Sequence, residues 1–474
     1  MNMRKWYLLF VSLLAVISLH AADGHRIKVK VTGYDQKELY LAYYYGDKQY
    51  VLDTATLAND GFFHFADEKP LNAGVYLVVL APDNSYFQIL VEPKEQFFSV
   101  FTQKDNPSSN VKFEKSPANT QFYSYLAYLT DKRPQADTLR AQIDREQGKK
   151  KEKLEEQLNK LNDDVLDYQR KFVADNPNSL TAALISAGLP MEYPDFEGDE
   201  QAVQMAKWRY TKAHFFDNIN LGDPRLLRTP FLFERVDYYV NKLQIQHPDT
   251  LAIAIDEVLE KMRPAEETFK YYLIHFLNFY ARSNIVGMDA VYVHIADKYY
   301  AAGQAPWTNE DQLKKIVENA TELRPLLIGK IAPNVTLLDR AGKNVTLHNI
   351  ESEYIVLYFW RYDCGHCQKT LPEMKAFYEK FKDKGVKLVS VCAKFTDEVP
   401  KCWEYIDEKE IGDWLHLTDP FHRSKYMTIY SIKTTPQIYV LDREKRILSK
   451  RIGAEQLEEV IDRIIEMKQK EGGR

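Results

Sequence analysis

Cysteine is scarce, with four in 474 residues, too few to staple a chain of this length through disulfides. No dense basic block occurs, and Lys149-Lys150-Lys151 is followed by Glu152, Glu155 and Glu156, the composition of a solvated helix face. With a formal net charge of −5, no nucleic-acid partner is expected. Beyond the first 22 residues no segment approaches the length of apolar sequence needed to span a bilayer, which excludes a transmembrane helix from the remainder. Metal-ligand spacing is also missing. The cysteines form one C-x-x-C pair and two residues ten apart, with no second knuckle. His214 with Asp217 and His294 with Asp297 have i,i+3 spacing, but read as satisfied structural histidines, so no metal is expected.

What is present begins with a targeting signal. Met1 to Lys5 is short and basic, Trp6 to Leu19 is apolar, and Ala21-Ala22 supplies small residues for cleavage. Residues 1–22 are therefore read as a secretory signal peptide. An exported chain that keeps so few cysteines uses them for chemistry rather than for stapling.

Three regions follow. Residues 23–115 alternate apolar and polar residues in seven or so short runs, as at Ile27, Val29 and Val31, with Asn59-Asp60-Gly61 as turn punctuation. This predicts an antiparallel β-sandwich. Residues 116–325 turn helical: Leu154, Leu158, Leu161, Val165, Tyr168 and Phe172 make an apolar seam at helical spacing. The seam fits a helix packed within its own all-α domain, with a short coiled-coil contact as the rival. Asp223-Pro224-Arg225 followed by Arg228-Thr229-Pro230 is a loop suited to ion pairs or to an anionic group.

Residues 326–474 carry the chemistry. The buried-strand pattern Tyr354 to Trp360 ends in a turn, and Cys364-Gly365-His366-Cys367 then opens an amphipathic helix. Far downstream, Thr434-Thr435-Pro436 precedes a second apolar strand, Gln437 to Leu441. A thiol at a helix N-terminus is activated by unpaired N–H groups and the helix dipole. Cys364 is thus the expected nucleophile, and Cys367, one turn on, the resolving thiol. His366 as a nearby partial cation would tune the potential towards oxidant, whereas Asp363 acts in the opposite sense. Cys392 and Cys402, at a strand end and early in a helix, suit structural roles, either as a disulfide or as two buried thiols.

These residues resemble the TlpA/ResA group of thioredoxin-like thiol–disulfide oxidoreductases. The likeness rests on Gly329-Lys330-Ile331-Ala332-Pro333, Asp339 to Gly342 with the following strand, the Cys-Gly-His-Cys helix and the Thr-Pro-strand-Asp442 segment. It implies a C-terminal α/β thioredoxin-like fold, an insertion between Phe395 and Tyr430, and a cis Pro436. In that fold Thr435 and Pro436 present backbone to an extended substrate. The order of the three regions is similar to exported Bacteroidetes-type oxidoreductases, which implies the periplasm or cell envelope of a Gram-negative bacterium.

Two positions depart from the group. Tyr358 stands where thioredoxins carry a buried carboxylate, and Thr370 where the group often has a glutamate that takes the resolving thiol's proton. A peroxidatic site would need a hydroxyl residue three before the cysteine, where this chain has Arg361, and a proline seven before, where it has Leu357. The expected function is an exported oxidoreductase exchanging disulfides with envelope proteins, a reductase rather than an oxidase. Its partners are protein thiols and disulfides and a redox partner that the sequence does not name, as it does not name the oligomeric state. No cofactor is needed, because the dithiol carries the electrons. The competing class is an envelope scaffold using a thioredoxin-like docking domain.

Overall fold

The computed structural model describes residues 24–472, so the signal peptide read at 1–22 lies outside the described residues. Two compact units meet in the sequence at Tyr239 and Val240. The chain is multidomain, with a β-rich N-terminal region, a helical middle and a C-terminal α/β region.

In the first unit the strands are β1 (His25–Thr32), β2 (Glu38–Tyr45), β3 (Lys48–Thr56), β4 (Phe63–Asp67), β5 (Gly74–Leu80), β6 (Ser85–Val91), β7 (Phe97–Gln103) and β8 (Lys112–Glu114). They form two four-stranded sheets, ordered β4-β1-β7-β8 and β3-β2-β5-β6. Alternation sends Ile27, Val29, Leu39, Leu41, Val78 and Ile89 into one core shared by both sheets. One expectation needs correction. The pairing is not wholly antiparallel, because β1 and β7 run parallel. Between them the chain builds β2 and β3 in the second sheet, returns to the first for β4, completes the second with β5 and β6, and re-enters the first alongside β1 in the same direction.

Helices α1 (Pro117–Ile143), α2 (Lys149–Asp175), α3 (Leu180–Gly188), α4 (Glu200–His214) and α5 (Leu232–Tyr238) complete this unit. Ser116 caps α1, with Pro117 at its first turn. The buried Asn119 amide then donates to Leu90 O and accepts from Leu90 N–H, both at 2.7 Å, fastening the helix to β6. The apolar seam of α2 meets α1: Tyr168 stacks on Tyr128 with ring centroids 3.9 Å apart, and Phe172 packs by Tyr125.

The Asp-Pro-Arg loop holds an internal ion cluster. Arg225 Nη1 donates to both Glu92 oxygens at 3.1 Å, and Nη2 donates to Asp223 Oδ2 at 2.7 Å. All three side chains are largely buried. Replacing Arg225 with Met would leave two carboxylates unpaired, a loss of roughly 3 kcal/mol. Urea unfolding followed by circular dichroism should show that loss, and Arg225→Lys should recover only part of it.

The second unit opens with α6 (Pro248–Met262), α7 (Glu266–Ala281), α8 (Asp289–Ile295) and α9 (Glu310–Leu323). The histidine pairs separate here. His214, in the first unit, contacts Asp217 at 2.7 Å. His294 instead takes Asp256 of α6 at 2.9 Å, while Asp297 is bound by Arg324. Among the described residues no group of three or more His, Cys, Asp or Glu could hold a metal ion. Nor, among them, is any helix long and apolar enough to cross a membrane.

The chain continues through the hairpin β9 (Thr336–Leu338) and β10 (Asn344–Thr346), then β11 (Tyr354–Trp360), α10 (Gly365–Phe381), β12 (Val386–Cys392) and α11 (Val399–Glu408). It ends with β13 (Leu415–Leu417), α12 (Tyr426–Ile429), β14 (Gln437–Asp442), β15 (Ile447–Lys450) and α13 (Ala454–Gly472). The five-stranded sheet runs β13-β12-β11-β14-β15. β11 pairs parallel with β12 and antiparallel with β14. It is buried on both faces: Val356, Tyr358 and Trp360 enter one core, and Ile355, Leu357 and Phe359 the other. A continuous apolar run, rather than an alternating one, is what such a strand requires.

Candidate active site

β11 stops at Trp360, a short turn follows, and α10 starts at Gly365 with Cys364 as its N-cap. Cys364 Sγ occupies the position where a serine or aspartate would cap: it accepts the Cys367 N–H at 3.3 Å. From the other side it lies 3.3 Å from Thr435 O, to which its S–H donates. The Thr435–Pro436 peptide is cis, and the Thr435 carbonyl lies at the sulfur.

The two sulfurs are free thiols with different surroundings: Cys364 is half-buried and Cys367 is 3% exposed. Burial pushes the Cys364 thiol up, but hydrogen bonds from Cys367, the Thr435 side chain and the His366 backbone outweigh it, so its pKa falls below the ordinary thiol value. Cys367 is pushed up to about 12, first by burial and then by its hydrogen bond with Cys364. One sulfur therefore ionises more readily than an ordinary thiol while its neighbour stays protonated.

His366 exposes its side chain, and its backbone N–H faces Cys364. With Thr370, Lys433, Thr434, Pro436 and Arg451 it lines a groove of about 720 Å³ beside the dithiol. Behind Cys367 the Tyr358 phenol is buried and held neutral by that burial, with Thr370 as its hydrogen-bond neighbour. Thr370 stands at the position of the missing glutamate, and its hydroxyl donates to the His366 and Cys367 carbonyls. Leu357 belongs to the opposite core and Arg361 is engaged by Asp363, so neither offers a hydroxyl to Cys364.

Three residues that the sequence did not single out join the site. The Lys394 ammonium reaches Asp363 Oδ2 at 2.8 Å and Glu398 Oε1 at 2.7 Å. Tyr362 donates to Glu398 at 3.2 Å. Arg361 adds a bidentate contact to Asp363, and hydrogen bonds from Arg361 and then Lys394 draw that carboxyl down to about 2. The only signal in the sequence was the i,i+4 spacing of Lys394 and Glu398 just past an apolar strand. Cys392 and Cys402, left open by the sequence, form a disulfide.

Comparison with known proteins places this geometry. Residues 328–450 match the AhpC/TSA family model. The thiol-disulfide oxidoreductase ResA of Bacillus thuringiensis (strain Al Hakam) is 30% identical over 143 residues, covering 29% of this chain and 78% of that protein. The chain belongs to the ResA/TlpA-type thiol–disulfide oxidoreductases. ResA of a Bacillus cereus strain is 29% identical over 140 residues, covering 29% and 78% of the two chains. A solved domain of a possible thiol-disulfide isomerase from Cytophaga hutchinsonii is 33% identical, with a TM-score of 0.29, and covers 32% of this chain and 99% of that one. Residues 25–122 and 146–322 of this oxidoreductase match two domains of unknown function, DUF4369 and DUF5106.

The thiol asymmetry has a direct readout. In the reduced protein, iodoacetamide should label Cys364 with a midpoint below the ordinary thiol range, whereas Cys367 should stay unlabelled through neutral pH. Cys364→Ser should reduce native-state labelling by about a hundredfold or more, because thiolate fraction and access govern the rate. Peptide mass spectrometry after timed labelling checks both.

Proposed function

We propose that this oxidoreductase is exported and reduces disulfides of envelope proteins through Cys364-Gly365-His366-Cys367. The observation that carries the reading is the capped, half-exposed Cys364 held between the α10 N-terminus and Thr435 O, with protonated Cys367 behind it. The Cys364 thiolate attacks one sulfur of a substrate disulfide, forming a mixed disulfide and releasing the other sulfur as thiolate. Cys367 then loses its proton and attacks Cys364 Sγ, closing the intramolecular disulfide and releasing the second substrate thiol. Two electrons pass to the substrate, and an external dithiol partner must return them.

In this mechanism Thr435 and Pro436 offer backbone to an extended substrate, and His366 places its imidazole at the mouth of the groove. With Thr370 where the group often has a glutamate, the thiolate released in the first step is a base for the proton of Cys367. The high pKa of Cys367 disfavours the reduced ionised form, which suits an electron donor. Export is supported by the pattern of residues 1–22 and by the Cys392–Cys402 disulfide, which persists most readily in an oxidising compartment. A division into 23–115, 116–325 and 326–474 is supported by the change from strand to helix between Glu114 and Pro117 and by the return to strand at Thr336.

Two measurements test the reading. Cys367→Ser should trap mixed disulfides with envelope proteins, whereas Cys364→Ser should trap none. The reduction potential of the Cys364–Cys367 couple should lie near that of thioredoxin, about −270 mV, or lower. A potential of about −180 to −120 mV would make the protein an isomerase or oxidant instead. A dithiol that fails to cycle would remove the enzymatic reading altogether.

A further inference from the structure

The strand register brings together two features that the dithiol mechanism leaves unused. β11 and β12 leave the sheet side by side, with Trp360 opposite Cys392 and the Ala393 N–H donating to Trp360 O at 2.7 Å. The segment after β12 must therefore lie against the turn after β11, which carries Asp363 and Cys364. That segment begins Ala393-Lys394. The Lys394 ammonium bridges Asp363 and Glu398 and lies 5.0 Å from the centre of the Tyr362 ring, and the residue is only 7% exposed.

The segment bearing Lys394 and Glu398 is closed at its base by the Cys392–Cys402 disulfide, whose cysteines are 1% and 0% exposed. Thr396, between the two charged residues, has φ +40°, a conformation that a non-glycine residue adopts only when its surroundings impose it. The disulfide thus closes a short loop whose inward groups brace the residue before the nucleophile.

We infer that Lys394 is a positioning residue for Cys364, cancelling the Asp363 charge beside the nucleophilic sulfur, and that the Cys392–Cys402 disulfide holds it there. The inference rests on the dithiol reading above. The groups facing Cys364 are Tyr358 from β11, Arg361 from the turn, and the His366 N–H and Cys367 from α10, with Asp363 its neighbour in the chain. Thr435 O faces it from the cis-proline loop, and Lys394 with Glu398 brace the turn from the loop after β12; Tyr405 of α11 lies near Cys367. Arg361, Asp363, Lys394 and Glu398 sum to neutrality. Arg361 pairs with Asp363 from a partly exposed position and Lys394 from a buried one, where its charge is less screened by solvent than it would be at the surface. Without Lys394 the cluster carries one net negative charge, which opposes the thiolate.

The test reads the sulfur itself, by pH-dependent iodoacetamide labelling of Cys364 in the full mature protein after mild reduction. Mass spectrometry verifies that the Cys392–Cys402 bond stays intact. Lys394→Met should slow labelling at pH 6 about three- to tenfold, a rise of half to one pKa unit, and Lys394→Arg should stay within about twofold of the parent. Adding Asp363→Asn to Lys394→Met should restore the parental rate, because the cluster is neutral again. Cys392→Ala/Cys402→Ala should slow labelling in the same direction, and Lys394→Met added to it should cause no further change.

A parental titration in Lys394→Met, with its circular dichroism unchanged, would overturn the role of Lys394. So would failure of Asp363→Asn to rescue it, since the effect would then not be one of charge. A parental titration in the double-alanine variant would overturn the role of the disulfide. None of these readouts requires turnover. Loss of substrate-disulfide reduction with a normal Cys364 titration would count against the functional reading alone.

Discussion

Burial of β11 on both faces is the constraint on which the site depends. Seven consecutive apolar side chains divide between two cores, Tyr354, Val356, Tyr358 and Trp360 on one side and Ile355, Leu357 and Phe359 on the other. A one-residue slip against β12 or β14 would exchange the two sets, so the register is strongly specified. Because it is fixed, the turn after Trp360 emerges between two other chain segments whose positions are fixed as well. β12 delivers Lys394 on one flank, and the loop before β14 delivers Thr435 and Pro436 on the other. The reactive cysteine is on a turn, but its neighbours are placed by strands.

That placement turns two chemically identical thiols into different reagents. Cys364 replaces an ordinary capping side chain, so the helix N-terminus that must satisfy its orphan N–H groups does so on sulfur. Cys367 lies one turn deeper, in the core with Met374 and Trp360, where charge is disfavoured. The difference makes the outer sulfur ionise more readily than the inner one. The surrounding formal charges cancel, so the local terms, namely burial and N–H donation, decide the order. His366, the cation most visible in the sequence, contributes its backbone N–H to that order.

Local features were the ones legible beforehand. The cysteine pair opening a helix, the apolar run before it and the Thr-Pro before a strand each lie within a few residues, and spacing alone reports them. Tyr358 and Thr370 were also visible, as substitutions where an acid would be. Lys394 and Glu398 were not, because their meaning depends on which strand is the neighbour of β11. The pairing of Cys392 with Cys402 needed the same information. His294 illustrates the opposite error: a neighbour at i+3 looked available, but Asp256 on another helix took the ring. In the N-terminal region the alternation reported strands and inward faces. The parallel pairing of β1 with β7 is a property of the path between them, which alternation does not encode.

The part of the chain that matches the oxidoreductase family is not by itself the packing unit. Lys450 ends β15 with its ammonium almost fully buried, and burial draws its pKa down while Asp289 opposes the fall. Its partners are Asp289, in the first turn of α8, and Leu326 O at 2.5 Å, both outside the matched segment. Asp289 also sits where the α8 dipole favours a negative charge. β15 pairs with β14, and the next residue, Arg451, donates its N–H to Ile438 O at 2.8 Å, two residues beyond Pro436. The edge of the sheet that presents the cis-proline loop is therefore closed by a helix from the middle of the sequence. An unpaired ammonium buried at that edge would be strongly unfavourable. The helical residues from 248 to 326 thus contribute to holding the cis-proline loop beside the dithiol, a structural role that requires no chemistry of their own.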